Sequence, residues 1–276
     1  MQTIRDIMSE GQLVWEPVIF DDPDGGRILL WPHLPCVRMP TILRTREHWD
    51  GIALLASEEE ISGWPQEEKE DQESPGIHVA AAMASGTVLG RLLDDLTVYD
   101  VDGPTIPDPE PMRLLHHANN ARGGLPVYAL EPSMEDEEWV DWMTRAADEQ
   151  VSMTSLISSV TIGRRWKKLR HSFAILVEAA KGVDAELGAA AASSATWWQE
   201  ENRGLTAGLM SERSSRIVSR IRGALADLRE GIVDDSDTSG PSLMVPVHQP
   251  RLPSILRAFD GYPDSETIQP IQTEEA

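Results

Sequence analysis

IGRRWKKLRHSFAILVEAAKGVDAELGAAAASSATWW, residues 162–198, is the most strongly patterned stretch of the chain. Ile162, Trp166, Leu169, Phe173, Leu176, Ala180, Val183, Leu187, Ala190, Ser194 and Trp197 follow one another in steps of four and three. That spacing is a heptad seam of about five repeats and predicts one apolar stripe on a helix. A second run follows at Met210, Ser214, Ile217, Ile221, Ala224 and Leu228, with Gly204 and Gly208 placed to connect two helices. Small residues in the seam allow close helix approach, while Trp and Phe fill wider gaps. The expectation is a mainly α fold in which residues 151–232 form a helical bundle or a coiled-coil-like oligomerisation segment. Ile162, Trp166, Leu169, Phe173, Leu176, Val183, Leu187 and Trp197 would face one another or a second copy.

The same stretch carries five cations in eight residues: Arg164, Arg165, Lys167, Lys168 and Arg170. They flank Trp166 and Leu169. Such a cluster can hold an acidic protein surface, a phosphate backbone or the chain's own acidic residues. Its surroundings matter, because the formal charge of the 276-residue chain is −22. By segment, residues 1–150 carry net −20, 151–232 net +4 and 233–276 net −6. A basic centre between acidic flanks suits a contact surface or intrachain attraction, and it weighs against nucleic acid as the first partner.

Working outward, residues 1–56 read as a small β-containing region. QLVWEPVIF (12–20) and RILLW (27–31) are strand-like and are separated by the turn formers DDPDGG. This predicts an antiparallel hairpin turning at Asp21–Gly26. Pro32, Pro35 and Pro40 are expected to end regular structure, and 45–56 to form a short helix capped by Thr45. Residues 57–76 are acidic and read as a solvated linker. Residues 77–150 form a helical region interrupted by the Pro-rich loop 100–111, with a last helix over 134–149. Residues 233–276 read as a Pro-rich acidic tail, with Leu252, Ile255, Leu256 and Phe259 as a short docking helix.

The hydrophobic fraction of 41% supports a sizeable core. The lone Cys36 excludes a disulfide framework and a Cys-rich zinc site, and reads as a small buried apolar residue. No signal-peptide pattern and no membrane-length apolar run occurs, so the expected location is cytoplasmic, or nuclear in a eukaryotic source or host, with no membrane partner. Phosphate-loop, dinucleotide, HExxH and GxSxG motifs are all absent. The adjacent His116 and His117 diverge by about 100° on a helix and do not readily share a metal. No cofactor and no metal site are expected, and no catalytic residue stands out. The reading is a non-enzymatic complex-forming or assembly subunit, such as a viral or phage accessory protein. It would act through the seam and the basic cluster, by self-association or with a protein partner. The alternatives are a nucleic-acid-associated regulator and an enzyme without a recognisable motif.

Overall fold

The hairpin forms where the turn residues place it. In the computed structural model, which describes residues 12–151, 162–231 and 240–271, β1 (Val18–Asp21) runs antiparallel to β2 (Arg27–His33), with Val18 opposite Leu30. Gly26 has φ +86°, and a Cβ there would sit 2.7 Å from the Pro241 carbonyl oxygen, so only glycine fits the turn. Asp22 caps the turn by accepting from the Asp24 amide.

The hairpin is the edge of a larger sheet. β3 (Gly51–Leu54), β4 (Val127–Ala129) and β5 (Ser242–His248) complete five strands in the order β1-β2-β5-β3-β4. β2, β5, β3 and β4 are mutually parallel. Nine helices surround them in the described residues: α1 (Glu58–Glu73), α2 (Ile77–Ala84), α3 (Val88–Leu96), α4 (Pro109–Asn120), α5 (Glu137–Gln150), α6 (Ile162–Ala174), α7 (Ala185–Glu201), α8 (Ala207–Gly231) and α9 (Leu252–Asp260).

The strands alternate their side chains between two cores. Leu29, Trp31, Ile52, Leu54 and Met244 join residues of α1 to α4, α6 and α7 on one face. Ile28, Leu30, Ala53, Tyr128 and Val245 join α8 and α9 on the other. Both faces of a parallel sheet must be covered, and the result is three layers, α/β/α. A satellite cluster of Trp139, Trp142, Ala146 and Leu209 ties α5 to α8.

This architecture corrects the expected helical bundle or coiled coil: the chain is α/β with a mixed sheet. The seam is not one helix. α6 ends at Ala174, and the following backbone turns to Leu13 instead: the Leu13 amide donates to Leu176 O, and the Glu178 amide to Leu13 O. A period of 3.5 thus runs by coincidence across two helices and an extended link. Three further elements differ from expectation. The acidic 57–76 stretch is mostly α1, capped by Ser57 and anchored by buried Ile61 and Trp64. Residues 51–54 are strand, not helix. The Pro-rich tail contributes β5, the central strand.

β5 tolerates Pro246 because its pairing with β3 stops at Met244. Pro32 likewise lies beyond the β1 pairing of β2. Each proline therefore sits where the ladder is one-sided. The docking helix expected near 252–259 is α9. No helix of the described residues is long and apolar enough to cross a membrane.

Candidate metal centre

The register of β2 and β5 sets His33 opposite His248, each the last residue of its strand. By strand alternation both lie on the face of Trp31 and Met244. The carboxyl ends of parallel strands are where open α/β sheets place their ligands. A third group arrives from α4. Asp108 is its N-cap residue, yet makes no side-chain cap bond, so the carboxylate is free to turn to the histidines. His248 Nε2 lies 2.9 Å from Asp108 Oδ2, and His33 Nδ1 lies 4.0 Å from the same oxygen. One ring nitrogen of each histidine and one Asp108 oxygen all fall within 4.8 Å of one another.

The surroundings fix the rings. His33 stacks on Trp31 at 5.8 Å and meets His248 edge-on at 4.9 Å. Trp197 of α7 packs edge-on against His248 at 5.6 Å. His33 Nδ1 is 3.2 Å from Leu34 O. Burial, reinforced by His248 and opposed by Asp108 and Glu110, lowers the His33 pKa to about 4. The imidazole is therefore neutral at pH 7, the state a metal ligand requires. His248 and Asp108 keep 27% and 17% side-chain exposure, so solvent reaches one side of the cluster.

Two supports hold the start of α4. Glu110 is fully buried and accepts from the Met39 amide at 2.8 Å, Arg44 at 3.0 Å and Arg113 at 2.7 Å. Its charge is thus committed. Asp108 is different. Oδ2 meets His248, whereas Oδ1 is buried without a hydrogen-bond partner. The same holds for Trp197 Nε1, beside His248, and for Gln249 Oε1, next in the chain. Buried polar atoms without partners cost about 1–3 kcal/mol each, so Asp108 Oδ1, with Trp197 beside His248, favours a polar occupant there. Two imidazoles and a carboxylate are a zinc-class donor set.

Of the residues singled out from sequence, Trp197 packs against His248 and the others lie elsewhere. Arg165 forms a bidentate pair with buried Glu200, at 2.5 Å on both arms. Arg170 reaches Asp95 at 3.0 Å and the Tyr99 hydroxyl at 2.9 Å; Asp95 also accepts from Trp166 and Ser193. Arg164, Lys167 and Lys168 are exposed. The five cations therefore divide into two that fasten α6 and three that face outward. Of the seam, Trp166 and Leu187 are buried, while Ile162, Leu169, Phe173, Leu176, Val183 and Trp197 are half-buried. His116 pairs with Glu68 at 2.9 Å and His117 packs on Trp49, so the two diverge. Cys36 is buried, and burial pushes its thiol pKa up.

Sequence reading leads to no metal site, and it misses His33, Asp108 and His248 because no local spacing links them. The one signal in the sequence is that, HHANN aside, two histidines end apolar runs, WPH and VPVH. The class that fold and site define is a three-layer α/β protein with a His–Asp–His cluster at the carboxyl edge of its parallel strands. Comparison with protein-family models, with curated proteins and with solved structures gave no match.

Proposed function

We propose that this protein binds a divalent transition-metal ion of the zinc class at His33, Asp108 and His248, and works as a metal-dependent enzyme of the hydrolytic type. The observation that carries this reading is Asp108: a carboxylate set between two histidines, with one oxygen buried and unpartnered. Three protein ligands leave a fourth position open, the arrangement of catalytic rather than structural zinc sites. An ion there would supply Lewis acidity and an activated water. The chain's own part is to hold the donors. Trp31 and Trp197 fix the ring planes, and Glu110 with its two arginines anchors the turn bearing Asp108.

Calorimetric titration of metal-stripped protein with Zn²⁺, Co²⁺ and Mn²⁺ tests the reading. One ion per chain is expected, with Asp108→Asn and His248→Ala each weakening affinity by at least about 100-fold, since loss of a group that merely supports a ligand already costs about 10–100-fold. His116→Ala should leave affinity unchanged. Failure of all three ions to bind stoichiometrically rejects the centre. Metal-loaded protein should also hydrolyse p-nitrophenyl phosphate or acetate, and His248→Ala should not.

A second reading is favoured by Arg164, Lys167 and Lys168, which are exposed on α6 and make no ion pair among the described residues. They support association with an acidic protein partner, as a complex-forming subunit. Fluorescence anisotropy with labelled polyglutamate should show binding that is lost when all three are changed to Glu. Preference for duplex DNA would instead favour a phosphate ligand.

A further inference from the structure

A cavity of about 570 Å³ opens between α6, α7, α8 and the start of α9. Its wall is mostly apolar: Leu13, Leu169, Phe173, Trp198, Met210 and Pro253 contribute. That volume falls in the range that holds a small organic ligand. Leu169 and Phe173 belong to the heptad seam. Their half-burial is explained by the cavity they line, without a second copy of the chain.

The charged members of the wall decide what fits. They are Arg165, Arg203, Arg257 and Glu200. Three arginines against one carboxylate make the wall net positive, in a chain of net charge −22. The carboxylate is already committed: both Glu200 oxygens accept from Arg165, and Arg203 stands 3.8 Å from Oε2. Arg257 is exposed on α9 and has no hydrogen bond or ion pair among the described residues. An apolar chamber with an uncommitted guanidinium at its rim matches a molecule with an apolar body and one anionic head. Arg is also the side chain whose planar fork matches a carboxylate on two atoms.

We propose that this cavity binds a medium-chain or aromatic carboxylate, its apolar part against Phe173, Trp198 and Met210 and its carboxylate on Arg257. The site is separate from the His–Asp–His cluster and does not depend on it. Isothermal titration of the full chain with dodecanoate and dodecyltrimethylammonium below their micelle concentrations, and with dodecanol below its solubility limit, tests it. Dodecanoate should bind one per chain, with dodecanol at least tenfold weaker and the ammonium compound not at all. Arg257→Gln, at an exposed position, should weaken dodecanoate about tenfold and leave dodecanol unchanged; Arg91→Gln, exposed on α3, should change neither. Met210→Trp should fill the chamber and abolish binding of both while the circular dichroism spectrum is retained. Absence of stoichiometric dodecanoate binding at millimolar concentration overturns the proposal. So does equal binding of the ammonium compound, or a normal dodecanoate affinity in Arg257→Gln.

Discussion

Single residues in this fold are held by charge as much as by packing. Glu131, just past β4, accepts from Arg213 at 2.9 Å and from Arg251 at 3.3 Å. Burial pulls its carboxyl pKa upward, but Arg251 and Arg213 outweigh that and hold it below the usual value of 4.5. Because the folded pKa is the lower one, the stabilisation is complete above pH 4.5 and is lost as pH falls through the folded value. Glu131→Gln should therefore cost about 1–3 kcal/mol at pH 7, less than a fully buried pair, because Glu131 and Arg213 each keep 22% exposure. In urea melts across the acid range, the gap from wild type should close toward pH 3; a constant gap would assign the loss to packing. Tyr128 gives the opposite limb. Its hydroxyl donates to Asp227 at 2.7 Å, and burial together with that carboxylate raises the phenol pKa. Its contribution should disappear as pH rises above 10, where the unfolded phenol ionises first, and Tyr128→Phe should flatten the alkaline side of the stability profile. None of these partnerships was legible in the sequence. Glu131, Arg213 and Arg251 lie on three separate elements, and only the sheet brings them together.

At the scale of elements, α8 shows how a helix is fitted to one neighbour. Its buried face of Ile217, Val218, Ile221, Ala224, Leu225 and Leu228 covers the sheet. Gly223 lies under the returning tail: a Cβ there would come within 1.8 Å of the Glu266 carbonyl oxygen. A glycine inside a helix normally costs about 1 kcal/mol relative to alanine. Gly63 in α1, where an added methyl would meet nothing within 4 Å, follows that rule, and Gly63→Ala should raise the melting temperature by a few degrees. Gly223→Ala should lower it, since the tail must move. Scanning calorimetry of the two variants decides the point. Phe173→Ala should cost less than the roughly 3–5 kcal/mol of a fully buried ring, because the ring is only partly buried and lines the cavity. Elements whose signal is local were readable: the DDPDGG turn gave the hairpin, and Leu252, Ile255, Leu256 and Phe259 gave α9. Elements defined by their neighbours were not. SLMVPVH carries a proline, and it is a strand because it pairs along its whole length with β2, while the short β3 pairing leaves Pro246 without a ladder partner on that side. The heptad spacing of 162–197 was real as a pattern but was broken by backbone bonds to Leu13, more than 150 residues away.

For the whole molecule, the uneven charge seen in the sequence resolves into contacts within the chain. Arg216 pairs with Asp136 and Glu266, Arg220 with Glu266, and Arg222 with Asp22 at 2.9 Å and Asp24 at 2.7 Å. The basic helix α8 thereby draws in both acidic flanks, one of the outcomes the sequence allowed. The order β1-β2-β5-β3-β4 has a further consequence for integrity. Removing residues 240–271 would take out the middle strand, one histidine of the proposed metal centre and α9 together, so that truncated chain should lack a cooperative thermal transition by circular dichroism; a sharp transition near the wild-type temperature would show that β2 and β3 can close without it. The same topology sets the timing of assembly on the ribosome. β5 is translated about 190 residues after β3, which at 5–20 residues per second is on the order of 10–40 s. Throughout that interval β2 and β3 have been made but their shared neighbour has not, so two apolar strand edges wait unpaired in the nascent chain. A cell that makes this protein must shield those edges during elongation, and binding of a ribosome-associated chaperone should persist until Ser242–His248 has cleared the exit tunnel.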